Sequence, residues 1–164
     1  MLFRSPGEPA LSLAELKQRM AVPPTYDTPR RAVIRLLHTL QVAGVELELQ
    51  TPRKPGAAAE WDASRRTLRI EPVAPDKGSE DFARILNHEA IHVAQSCHAG
   101  GLRASPTLLG IGRTLTPAMV DELQGPTYAH VSAAEKLLEA EAYSNQEDLA
   151  VGDAMVRRHC RLTS

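Results

Sequence analysis

Aromatic residues are scarce in this chain, at 4% of 164 residues. Its core cannot rest on stacked rings, so Leu, Ile, Val and Ala must supply most of it. Cysteine is scarcer still. Cys97 and Cys160 are the only two, too few for a disulfide framework. The plainer expectation is two small buried thiols; a single bridge would tie the end of the chain to the segment around residues 88–92. An excess of either charge is missing as well. Nineteen Lys and Arg stand against 20 Asp and Glu, for a net charge of −1 with no basic run. Nucleic-acid binding therefore has no electrostatic support. No run of about 18 apolar residues is present to span a bilayer. The opening MLFRSPGEPALSLAELKQRM carries Glu8 and Glu15 where a signal peptide needs an unbroken apolar segment. A cytoplasmic protein without membrane or nucleic-acid partners is expected.

What is present fits an ordinary globular chain, 43% hydrophobic and 24% charged. Its length predicts one domain over residues 1–164, with residues 1–10 a loose leader. LSLAELKQRM reads as a short amphipathic helix stopped by Pro23, Pro24 and Pro29. PRRAVIRLLHTLQVAG reads as a stronger helix, with Val33, Leu36, Leu37 and Leu40 as its stripe and Gly44 as its C-terminal cap. VELELQ alternates as a strand, Val45, Leu47 and Leu49 on one face. A second strand runs around Leu68 and Ile70, in a hairpin turning near Ala63–Arg65.

The segment SEDFARILNHEAIHVAQSCHAGG predicts a helix that starts on a Ser79 N-cap and stops at Gly100 and Gly101. Phe82, Ile85, Leu86, Ala90 and Val93 give it a 3.6-residue apolar stripe. Residues four apart on a helix stand one above the other, so His88 and His92 present two imidazoles to one ion. Glu89 adjoins the first of them. This is the H-E-x-x-H arrangement, two neutral ligands beside a carboxylate able to take a proton from activated water. With six His and 13 Glu in the chain, chance alone would produce it in about two shuffled chains per hundred. Its place on an amphipathic helix, directly after strands, decides for a metal site.

Zinc in a catalytic role wants a third protein ligand. His98 follows His92 at the spacing of the metzincin pattern, but Gln95, an ordinary helix former, stands where that pattern turns at glycine. A helix running on through Cys97 points His98 about 120° away from His92. Met119 reads as core. The rival lies in HVSAAEKLLEAEAYSNQEDLA, where Ser132 and Glu135 form a capping box that starts a second helix. Ala134, Leu138, Ala142 and Leu149 make its buried stripe, and Glu139 and Glu141 flank that stripe on opposite sides. Helical geometry lets either face a neighbouring helix, and not both. The connection from Gly101 to His130 reads as a packed irregular loop with one short helix at Pro117–Leu123.

HEAIHVAQ followed about forty residues later by EAEAY resembles the core of gluzincin-type metallopeptidases, most nearly the small minigluzincin-like proteins. The resemblance spans residues 67–150. It implies an α+β, zincin-like fold, a small β-sheet packed on the H-E-x-x-H helix with a glutamate helix following. It implies Zn2+ held by His88, His92 and Glu139, with Glu141 as the alternative third ligand and His98 behind both. It implies Glu89 as general base on a peptide or protein substrate. Tyr143 stands where larger relatives carry an Asp beside a ligand histidine; its phenol, with Tyr128 or His130, is a candidate to stabilise the oxyanion. Three classes of function stay open: a zinc peptidase, a zincin-like protein whose metal is structural and whose groove binds a partner, and a metal-free helical interaction protein.

Overall fold

The computed structural model describes residues 12–14 and 27–162. Most of the LSLAELKQRM helix lies outside them, though residues 13 and 14 are helical. The order is α1 (Asp27–Ala43), β1 (Glu46–Leu49), β2 (Ala59–Asp62), β3 (Thr67–Ile70), α2 (Ser79–Ala99), α3 (Pro117–Leu123), α4 (Ala133–Asn145) and α5 (Val151–His159). The architecture is α+β, as expected.

Strand order in the sheet is β1-β3-β2. After β1 the chain crosses to the outer edge as β2, then turns through Ala63–Arg65 and returns as the central β3. β3 runs parallel to β1, Leu47 against Leu68, and antiparallel to β2, Trp61 against Leu68. Buried on both faces from Thr67 to Ile70, β3 reads as a central strand should. The expected face of β1 holds only in part. Val45 is buried, whereas Leu49, the last residue of the edge strand β1, is 66% exposed.

Leu36, Leu40, Leu68, Ile70, Leu86, Ala90, Val93 and Val156 form the heart of the core. α2 runs through it, with every residue from Leu86 to Ser96 buried. An apolar stripe alone would bury one face. Here α1 and α5 cover the helix on one side and β2 and α4 on the other, so polar residues on the second side are enclosed too. Its first turn differs from expectation: Gly78 is the N-cap and the Ser79 side chain caps nothing. The Gly78 carbonyl accepts from the Phe82 amide at 3.0 Å, so the helix begins one residue early. Its end, at Gly100 with φ 144°, is as read.

α5 was not legible from the sequence, yet it packs against α2 more extensively than any other element does. Val156 enters the core, and Gly152 lets the helices approach closely. The cysteines also correct an expectation. Cys97 and Cys160 are not free thiols but form a disulfide between the ends of α2 and α5. No helix among the described residues is long and apolar enough to cross a membrane.

Candidate metal centre

The site is assembled from one helix, one neighbouring helix and two loops. On α2, His88 and His92 lie one turn apart, with their Nε2 atoms 3.2 Å from each other. On α4, Glu139 points its Oε2 between them, 3.0 Å from His88 Nε2 and 3.1 Å from His92 Nε2. These three buried side chains form a group able to hold a metal ion. A tetrahedral ion with bonds of about 2.0 Å sets its ligand atoms about 3.3 Å apart. The observed triangle is within a few tenths of an ångström of one face of that tetrahedron, so the donor set fits zinc in number, type and spacing.

Both imidazoles are oriented from behind. His88 Nδ1 donates to Gln146 Oε1 at 2.8 Å, and His92 Nδ1 donates to Gln95 Oε1 at 2.7 Å. With the proton on Nδ1, each Nε2 lone pair faces the centre, the tautomer that a metal requires. Gln95 is therefore no ordinary helix former: it is fully buried, and its amide nitrogen donates to Leu138 O and Glu141 Oε1. Gln146 is placed by Asn87, whose Nδ2 donates to the carbonyls of Gln146 and Asp148. Neither glutamine nor Asn87 belongs to a spacing rule, and the one signal for Gln95 was its position three residues after His92.

The electrostatics of the triad call for positive charge at its centre. Burial works to depress the His92 imidazole, but the Glu139 carboxylate, aided by Glu89 and Gln95, lifts it to about 9. Burial would raise the Glu139 carboxyl, yet His92 and His88 hold it well below the carboxylate range. Lys54, from the loop before β2, sits beside the same carboxylate, its Nζ 3.5 Å from Glu139 Oε1. Its loop is shaped by the Arg53 and Lys54 amides donating to Glu60 Oε2. No sequence pattern singled out Lys54.

Glu139 and Glu141 are both buried, which overturns the expectation that only one could face inward. Burial on α4 is a continuous run from Glu139 to Ala142, whereas Ala134 of the expected stripe is exposed. The start of the helix stands at a cleft rim, and its middle is enclosed by both α2 and the long connection. Glu141 does not reach the triad. Its carboxylate takes the amides of Leu109 at 2.7 Å and Gly110 at 2.8 Å, besides Gln95. It holds the connection against α4. His98 is also outside the site, at the far end of α2, edge-on to His159 with centroids 4.8 Å apart.

Glu89 is buried at 7% exposure, and its carboxylate has no hydrogen-bond partner among the described residues. Burial pushes its carboxyl above the ordinary value, only partly offset by His92 and His88. It lines two cavities that meet there. The larger, about 480 Å³, also has His92, Lys54, Trp61, Leu138 and Tyr128 on its walls. The smaller, about 210 Å³, has His88, Tyr143, Arg84 and Tyr128. Trp61 Nε1 donates to Ser96 Oγ, which fixes the β2 edge over α2.

The tyrosines divide their work. Tyr128 donates to Glu139 Oε2 at 3.3 Å. A carboxylate only accepts, so Tyr143 must donate to Tyr128 across their 2.9 Å hydroxyl contact. Tyr143 also stacks edge-on against His88, centroids 4.6 Å apart. Burial, first of several causes, pushes Tyr143 up to about 12 and Tyr128 further, so both stay protonated donors. His130 is exposed and lines neither cavity. Met119 is half-buried and away from both.

No family model, no curated protein and no solved structure matches this chain.

Proposed function

We propose that the protein is a zinc-dependent hydrolase of the gluzincin type, zincin-like in fold, acting on peptide bonds. One observation carries this reading. Glu89 is a buried carboxylate without a hydrogen-bond partner, beside a completed His-His-Glu group and on the wall of two cavities. Its carboxylate faces the cavities and no protein donor, and a metal serving only as a structural staple would give it no task.

Zinc bound by His88, His92 and Glu139 would supply Lewis acidity toward a carbonyl and toward water. The chain's own groups do the rest. Glu89, its carboxyl raised by burial, accepts a proton from the attacking water and returns it to the leaving amine. Tyr143, which lines the smaller cavity with Glu89 and His88, would turn its hydroxyl proton from Tyr128 to a developing oxyanion, since the Tyr128 proton is held by Glu139. Gln95 and Gln146 hold the imidazole tautomers. The Cys97–Cys160 bridge favours an oxidising compartment over the cytoplasm expected from the sequence, since such bonds persist where thiols are not kept reduced.

The test compares wild type with Glu89→Gln on a mixed peptide library, with zinc content measured on the same samples. Glu89→Gln should keep its zinc and its fold while cleavage falls by about a hundredfold or more. Equal cleavage by both proteins removes Glu89 from the mechanism. Absence of cleavage by zinc-loaded wild type rejects the peptidase reading in favour of a non-catalytic metal site.

A further inference from the structure

A third cavity, about 490 Å³, opens at the opposite end of α2 from the start of the motif. It lies between the ends of α1, α2 and α5, with the Cys97–Cys160 bridge in its wall. Its ionisable lining is of one kind: His98, Arg158, His159 and Arg161, with no Asp or Glu. Neither Arg158 nor Arg161 makes an ion pair among the described residues, whereas their neighbour Arg157 is bound to Asp153 at 3.0 Å.

Basic residues in the last turn of a helix are ordinary, since they complement its negative end. That accounts for Arg157 and Arg158. It does not account for Arg161, which follows α5 in a left-handed conformation with φ 57°. The Leu162 amide closes back on the Arg157 carbonyl at 3.0 Å, the arrangement in which glycine is the usual residue at this position. The chain instead places a guanidinium there, at the mouth of a cavity already holding another. The negative ends of both helices are largely answered by backbone. Carbonyls of Ser96 and Cys97 accept from Gly101 and Gly100, and that of Val156 from Cys160. Burial first, and then the neighbouring His98 and Arg158, push the His159 imidazole below its ordinary value, against the pull of Glu141.

The geometry points to this cavity as a binding site for a small oxyanion, a phosphate group on a free molecule, gripped by Arg158 and Arg161 with the two imidazoles as further donors. Planar guanidinium groups suit phosphate oxygens, and paired ones fix its orientation. The site is separate from the metal centre and needs no metal.

Inorganic phosphate is titrated into the full, disulfide-bonded chain, with chloride at matched ionic strength as control. The signals followed are the melting temperature and the His98 and His159 ring resonances. Wild type should melt higher in phosphate, with both ring resonances moving. The affinity should fall at least tenfold in Arg158→Gln/Arg161→Gly. Arg161→Gly alone should melt no lower than wild type without phosphate, because glycine is at ease at positive φ, so lost binding there is not lost folding. Sedimentation with vesicles of phosphatidylcholine and phosphatidic acid separates the sources of the phosphate. A free ligand leaves the protein in the supernatant. No phosphate response beyond that to chloride, an equal response in the double variant, or a response to vesicles alone overturns the assignment.

Discussion

Gln146 Oε1 lies 2.8 Å from His88 Nδ1, and through that contact a residue just past the end of α4 sets the tautomer of a histidine on α2. Gln146→Ala should leave the ligand atoms in place but release the ring. Zinc affinity is expected to fall about 10–100-fold, as when the partner of a ligating histidine is lost elsewhere. Competition against a chelating dye measures it. An unchanged affinity would remove Gln146 from the site.

The three candidates for third ligand give three different outcomes. Glu139→Ala should abolish tight zinc binding and leave the fold standing. Glu141→Ala should chiefly destabilise the protein, by about 1–3 kcal/mol, because it takes an acceptor from the buried Gln95 amide and releases the Leu109 and Gly110 amides from α4. His98→Ala should change neither. Zinc titration paired with urea unfolding on each variant separates them. A large zinc loss confined to His98→Ala would refute the triad.

Gly152→Ala probes the contact between α5 and the motif helix. An added methyl would sit 2.5 Å from Asn87 Oδ1 and 2.9 Å from both Ala90 Cβ and the Asn87 carbonyl. The same asparagine oxygen accepts the Gly152 amide at 2.7 Å. Alanine gains at most about 1 kcal/mol of helix propensity, less in a first turn, against about 1–3 kcal/mol for overpacking and a strained hydrogen bond. A net loss of about 1–2 kcal/mol in unfolding free energy is expected from urea unfolding. A more stable Gly152→Ala protein would contradict the close packing.

The disulfide closes a loop of 63 residues. Loop-closure entropy for that length gives about 4 kcal/mol of stability. Cys97→Ser/Cys160→Ser, or full reduction, should lower the unfolding free energy by about that amount. Equal stability of oxidised and reduced protein would refute the loop-closure contribution.

Asp62 should give the fold an acid limit. The Ser64 hydroxyl first, and then Arg69, bring its carboxyl from 3.8 down to about 2, against burial. Its side chain is 12% exposed and pairs with Arg69 at 2.8 Å. A depressed folded-state value means the stability, about 2 kcal/mol, is fully present above pH 4 to 5. It is lost as pH falls through about 2. Urea unfolding of wild type and Asp62→Asn at pH 6 and pH 2.5 checks this. The gap between them should narrow at the lower pH, and a constant gap would exclude the linkage.

Local patterns made much of this readable. The spacing of His88 and His92 placed two imidazoles on one helical face, because a helix repeats every 3.6 residues wherever it is packed. Gly100 ended that helix, Ser132 began α4, with its Oγ accepting the Glu135 amide, and the Ala63–Arg65 turn joined β2 to β3. Each of these rests on interactions within a few residues of sequence. The choice of Glu139 came from resemblance, since spacing left it level with Glu141.

What only the tertiary structure decided lies between distant segments. Glu139 and Glu141 are both buried because α2 and the 101–132 connection enclose α4 from two sides, which periodicity along one helix cannot register. Gln95, Gln146 and Lys54 gather at the centre from three different elements, and polar residues carry no periodic signal announcing such a meeting. α5 is short, and its place is set by the close contact of Gly152 with Asn87 on α2. Cys97 and Cys160 pair because the ends of α2 and α5 bring their Cα atoms to 5.0 Å, a distance fixed by how helices pack and not by their separation of 63 in the sequence.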